Sequence, residues 1–227
     1  MACARQIVLP TLAGPEVCMA STKVFTCQLA TLVCLAIAAG RDRGVLSADD
    51  EVPLVRALAD VPSYMTCALE LEPKIRQLAR KIAPSSNALL IGRGTNYPLA
   101  LKGALKLKEI TYIHAEGYAA GELKYGPIAL IEKNLPVVVI APGDMTFEKT
   151  MSNMHEVIAR EGCTILITDH NGASLAAPGL ASTTDFPRFN PGYYSGYQTQ
   201  RVCSGLNVGR GTPFGLSSAV EAATGRA

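Results

Sequence analysis

Three short apolar runs constrain this chain more than anything else in it: NALLIG at 87–92, LPVVVIAP at 135–142 and TILITD at 164–169. They show no alternation of apolar and polar residues, so each predicts a strand buried on both faces. Between them lie two stretches of helical period, Pro98 to about His114 and about Thr146 to Arg160. Buried strands alternating with helices predict an α/β fold, a layered parallel sheet flanked by helices. Sheets of this kind collect ligands at the carboxyl ends of their strands.

The flanking segments have a different character. QIVLP at 6–10 predicts a short strand, TLAGPEVCMAS a turn-rich loop, and Ser21 an N-cap for an apolar helix from Thr22 to Ala39. The apolar run Val24 to Ala39 is interrupted by Thr26, Gln28 and Thr31 and falls short of the roughly 20 residues that cross a bilayer, which predicts a buried helix. A polar connector, GRDRGVLSADDEVP, leads to two amphipathic helices, about Asp49–Ala59 and Ser63–Ile82, with Pro84 closing the second. From about residue 178 the sequence is rich in Gly, Ser, Pro and Thr without a sustained period, and predicts an irregular, poorly ordered tail.

Composition narrows the partners. A net charge of +2, spread without a basic run, supplies no electrostatic case for nucleic acid or a membrane surface. The seven cysteines form no C-x-x-C pair and no zinc-like spacing with His114, His155 or His170, so reduced thiols in the cytoplasm are expected and no metal. The N-terminus has no apolar signal core. A small solute is the expected ligand, and no cofactor is expected: IGRGTNYP opens a helix and its glycines would admit an anion, but the third glycine of a dinucleotide fingerprint is missing at Tyr97.

Ionisable residues concentrate in LKGALKLKEITYIHAEGYAAGELKYGP at 101–127. Lys102, Lys106 and Glu109 are four and three residues apart, which puts them on one helix face. On spacing alone a solvated salt-bridge stripe is the plainer reading. The continuation argues otherwise, because it keeps placing ionisable groups in a glycine-broken segment that cannot be a uniform helix, and such loops hold catalytic groups. Ser21, Thr22 and Lys23 open the apolar helix, where a hydroxyl and free amides could meet a phosphorylated ligand or form a simple cap. His114 at a helix end reads as a capping or packed histidine.

Taken together, GPEVCMASTKVFTCQLA, the long stretch from LLIGRGTNYP through GELKYGPIALI, and LPVVVIAP closely resemble the isomerase half of glutamine:fructose-6-phosphate aminotransferase, or glucosamine-6-phosphate synthase. The likeness covers about Ile7 to Asp169. It implies two sugar isomerase domains. Residues 1–40 would be the end of the first, 41–84 a helical connector, 85–177 an incomplete second domain, and 178–227 a tail unlike the family. The family makes glucosamine 6-phosphate from fructose 6-phosphate and glutamine, and its isomerase half opens the sugar and moves a proton between C1 and C2. The resemblance therefore implies Glu109 as the catalytic base and Lys106 as the cation polarising the sugar oxygens. Met19, Ala20, Ser21 and Thr22 would line the sugar site.

Departures from the family pattern temper that implication. Tyr125 stands where the family usually has a histidine offered to a neighbouring subunit's site. A phenol titrates near pH 10 and an imidazole near about 6.5, so tyrosine is a poor proton shuttle at neutral pH. Lys102 replaces a glutamate. The Ser-rich phosphate loop, the glutaminase domain and the family's closing lysine segment have no counterparts, so ammonia would come only from a glutaminase domain supplied elsewhere. A fragment with impaired or no activity alone is expected, its tail the product of a shifted reading frame or a damaged gene. A homodimer, or pairing with an intact subunit through bared apolar surface, follows. The alternative is a non-catalytic sugar-phosphate-binding or subunit-interaction module. A nicotinamide enzyme is more remote because the glycine pattern is incomplete.

Overall fold

The computed structural model describes residues 8–16, 21 and 23–176, together with the backbone of 183–186. The chain divides into two compact units, Met1–Pro62 and Ser63–Ala227.

In the first unit, the helix α1 (Lys23–Asp42) is followed by the start of α2 (Ala48–Leu69). Val8–Pro10 carries no regular structure, so the described part of the predicted QIVLP strand is not one. Pro10 has no amide to donate to a neighbouring strand. The first turn of α1 is served by Glu16, whose Oε2 accepts from the Val24 amide at 3.2 Å and from Ser21 Oγ at 3.4 Å. Ser21 therefore supports the start of the helix through a carboxylate, and Thr22 is outside the described residues. The expectation of a buried helix does not hold: Ile37 is the one buried residue of α1, and Leu32 and Leu35 are exposed. The helix runs 20 residues and is long and apolar enough to cross a membrane, a test that core helices of soluble proteins also pass.

The helix α2 opens on a reciprocal cap, with Asp50 N donating to Ser47 Oγ at 3.1 Å and Ser47 Oγ donating to Asp50 Oδ2 at 2.5 Å. The two predicted connector helices break at a different place. The α2 helix continues through Pro53 and Pro62 to Leu69, and α3 (Glu72–Ile82) starts after Leu71. Pro73 sits in the first turn of α3, where a missing amide is harmless.

The second unit is built on a five-stranded parallel sheet in the order β2-β1-β3-β4-β5. The strands are β1 (Asn87–Gly92), β2 (His114–Ala119), β3 (Pro136–Ile140), β4 (Cys163–Asp169) and β5 (Thr183–Phe186). The helices are α4 (Tyr97–Thr111), α5 (Phe147–Ala159) and α6 (His170–Leu175). The three apolar runs are the inner strands, and β3 is buried along its whole length, as expected for parallel strands covered on both faces.

Two strands went unpredicted. The β2 strand lies in the stretch read as the end of a helix and a loop, so His114 begins a strand. The α4 helix stops because Tyr112 adopts φ 61°, and Thr111 Oγ1 donates to Leu107 O at 2.7 Å while accepting the Ile113 amide at 3.2 Å. The β5 strand lies in the stretch read as an irregular tail, and the rest of that tail is outside the described residues.

The core on one face gathers Leu89, Ile91, Val137, Val139 and Leu166 of the sheet with Phe147, Met151, Met154 and Val157 of α5. Ala120 and Leu123 join it from the segment after β2. The α4 helix packs against β1 and β2.

Candidate functional site

The strand order reverses at β1, whose neighbours are β2 on one side and β3 on the other. In an open parallel sheet such a reversal opens a crevice at the carboxyl ends of the two central strands. Here it is bounded by the loops that follow Gly92 and Ile140. Gly94 takes φ 58° and initiates a one-turn 3-10 segment, Gly94–Asn96, before α4. Asn96 is buried and its Nδ2 donates to Asp144 Oδ2 at 3.4 Å. Asp144 Oδ1 accepts from the amide and the hydroxyl of Thr146, both at 2.7 Å. Asp169 Oδ1 accepts the amides of Gly143 at 3.1 Å and Gly172 at 2.8 Å, tying the ends of β3 and β4 together. Aspartates thus engage the amides at 143, 146 and 172, and the crevice is stitched by the chain's own carboxylates.

The helix α4 carries the face singled out in the sequence. Lys106 has 3% of its side chain exposed and its Nζ is ion-paired with Glu109 Oε2, whose side chain is 38% exposed. The plain stripe of solvated pairs is therefore not what forms, because the cation is taken out of water and the carboxylate reaches it. An ammonium is costly to bury alone, and Glu109 compensates that cost. One turn earlier, Lys102 is half-buried, and its ammonium titrates below the ordinary lysine range. Burial is the main cause and Lys106 adds to it, while Glu109 acts in the opposite direction. A carboxylate at the water boundary, with a buried cation behind it, can take and return a proton and support negative charge on an adjoining oxygen.

The position of α4 depends on Gly117 of β2. A Cβ there would lie 2.8 Å from both Leu101 N and Leu101 Cα. The helix backbone therefore rests directly on the strand, one residue from Lys102. Ala100, Ala104 and Leu107 bury the same helix against the sheet.

Tyr125 ends a 3-10 segment, Ala120–Tyr125, and is 84% exposed. Ser21 belongs to the first unit, and Met19, Ala20 and Thr22 are outside the described residues. His114 points to solvent at the start of β2, with Nε2 at 3.9 Å from Glu116 Oε1. Among the described residues no group of three or more His, Cys, Asp or Glu side chains is placed to hold a metal ion. Cys27, Cys34, Cys67 and Cys163 are free thiols.

Several side chains that shape the site escaped the sequence reading. Arg93 Nη2 donates to Asn153 Oδ1 at 2.9 Å across 60 residues of chain, and Asn96 reaches Asp144 across 48. No local spacing could signal such pairs.

Residues 81–181 match the family model described as the SIS domain. A glutamine–fructose-6-phosphate aminotransferase (isomerizing) of Bradyrhizobium diazoefficiens is 64% identical over 171 residues, which cover 75% of this chain and 28% of the relative. Its counterpart in Mesorhizobium japonicum is 57% identical over 187 residues, 82% of this chain and 31% of the relative. The chain thus spans about a third or less of the curated relatives it matches. The solved C-terminal domain of glucosamine-fructose-6-phosphate aminotransferase from Francisella tularensis superposes with a TM-score of 0.85 at 33% identity, covering 89% of this chain and 57% of that one.

Proposed function

Taking as premise that this chain is a SIS-domain relative of the isomerizing glutamine–fructose-6-phosphate aminotransferases, we propose that it is part of the isomerase of such an enzyme. Its ligand is fructose 6-phosphate and its place is hexosamine synthesis in the cytoplasm. The observation that carries this is the Lys106–Glu109 pair on α4, a buried cation holding a carboxylate at the water boundary.

In the open-chain ketose, Glu109 takes a proton from C1. The C1–H electron pair becomes the C1–C2 double bond, and charge develops on the C2 oxygen, where a neighbouring ammonium stabilises it. The C1 hydroxyl proton then passes to the C2 oxygen as the C1 carbonyl forms, and Glu109 returns its proton to C2, which gives the aldose. Tyr125 holds the position of the ring-opening histidine, where a phenol serves poorly, so ring opening is the weak step. The sugar-binding role of Met19, Ala20, Ser21 and Thr22 rests on resemblance alone, as does the division of the chain at residues 40, 84 and 177. Ammonia from glutamine enters only with a glutaminase domain, and a second subunit is the natural acceptor of the Tyr125 turn.

A coupled assay for glucose 6-phosphate formed from fructose 6-phosphate tests the proposal. The chain, its Tyr125→His variant and its Glu109→Gln variant are compared. Turnover that rises with Tyr125→His and vanishes with Glu109→Gln is expected. A folded chain that stays inactive even as Tyr125→His overturns catalysis by this chain alone and leaves a sugar-phosphate-binding or subunit-pairing module.

A further inference from the structure

The segment that presents Tyr125 is a short 3-10 turn beside an edge strand, the kind of element that ordinarily moves freely. Here it is held from three directions. Ala120 and Leu123 are buried in the core with Met151 and Met154 of α5. Arg93, the first residue beyond β1, donates from Nη2 to Asn153 of α5, and Gly121 lies against its guanidinium, so that a Cβ there would stand 3.1 Å from Nη1 and 3.2 Å from Nη2. Lys124 Nζ reaches Glu156 Oε1 at 2.9 Å. Asn153 and Glu156 are three apart on α5, hence neighbours on one face of that helix. Arg93 Nε and Glu156 Oε2 are both buried and without a hydrogen-bond partner, leaving the cluster one spare donor and one spare acceptor.

We propose that Arg93, Asn153 and Glu156 are positioning residues that clamp the turn Ala120–Tyr125 to α5 and to the end of β1, and so set where the side chain of residue 125 stands. The clamp follows from the contacts themselves. Only the use made of residue 125 rests on the proposed isomerase function. A Cβ at 121 would press on the guanidinium, which would have to give by a few tenths of an ångström, and leucine at 123 supplies the apolar half of the grip.

Hydrogen–deuterium exchange of the full chain tests the clamp without reference to turnover. In the double variant Asn153→Ala/Glu156→Ala the amides of 121–126 are expected to exchange about tenfold faster, while those of β1 and β3 keep their rates. Glu156→Gln retains an acceptor for Lys124 and should stay within about twofold of the parent. Parent rates at 121–126 in the double variant overturn the proposal, as does equal acceleration in β1 and β3, or Glu156→Gln behaving as Glu156→Ala. Should the double variant not fold, Lys124→Met removes the solvent-side leg alone and must still accelerate the turn by about twofold; parent rates there are equally fatal. The chain has no tryptophan, so Tyr125→Trp gives a single emission reporter. Its anisotropy should fall when the double substitution is added, and an unchanged value counts against the clamp. A failed sugar assay with the expected exchange pattern would sink the isomerase reading and leave the clamp standing.

Discussion

Replacing Gly117 by alanine tests how closely the helix bearing the proposed base rests on the sheet. The new methyl carbon would sit 2.8 Å from the backbone N and Cα of Leu101 and 3.0 Å from the Ala100 carbonyl carbon. Carbon atoms pack best at about 3.5–4.0 Å, so α4 must lift from β2 by about 0.7–1 Å at that end. Backbone cannot rotate away as a flexible side chain would. Overpacking of this kind costs about 1–3 kcal/mol. The reduced freedom of alanine in the unfolded chain returns about 0.4–1 kcal/mol. The middle of each range leaves a net loss of about 1.3 kcal/mol, and with about 2–4 °C per kcal/mol for a domain of this size, Tm should fall by roughly 3–5 °C. The assay is thermal unfolding followed by circular dichroism, with the parent chain alongside. An unchanged or higher Tm with a native spectrum would refute the close approach of α4 to β2, and with it the account of how Lys102 and Lys106 are placed.

Three further expectations follow from the same helix. Glu109→Gln leaves the buried Lys106 ammonium without its counter-charge and should cost about 1–3 kcal/mol in urea unfolding, whereas Lys106→Met, which removes the buried charge and keeps the volume, should cost less than about 1 kcal/mol; equal losses would mean the pair is solvated. Thr111→Val keeps the shape but removes the acceptor of the buried Ile113 amide, so a loss of about 1–3 kcal/mol in the same assay is expected, and none would show that the amide has another partner. The third expectation concerns pH. Lys102 titrates lower in the folded chain than unfolded, so its charge opposes folding at neutral pH and that opposition fades as pH rises toward lysine's ordinary 10.5. Lys102→Met should therefore be more stable than the parent at neutral pH, with the gap closing in that alkaline range. A gap independent of pH would place its cause elsewhere.

What could be seen before folding, and what could not, divides along physical lines. The runs 87–92, 135–142 and 164–169 announced β1, β3 and β4, because a strand covered on both faces must be apolar at every position and that needs no knowledge of its neighbours. The α4 and α5 helices were legible from their period, and the Lys106–Glu109 pair from its three-residue spacing, since both are local. The edge strand β2 was not legible: HAEGYA keeps only Ala115 fully buried, and an element half open to water carries no continuous apolar signal. The β5 strand consists of four residues paired on one side with β4, too short to stand out from the glycine-rich sequence around it.

The sequence by itself determined the buried strands, the helices that alternate with them and the resemblance that names the chemistry, because each is written in adjacent residues. Only the tertiary structure decided that Lys106 is buried while Glu109 meets water, that Gly117 seats α4, and that Arg93 and Asn153 meet. Burial and long-range pairing depend on which surfaces the fold brings together, and residues far apart in the chain carry no local record of it.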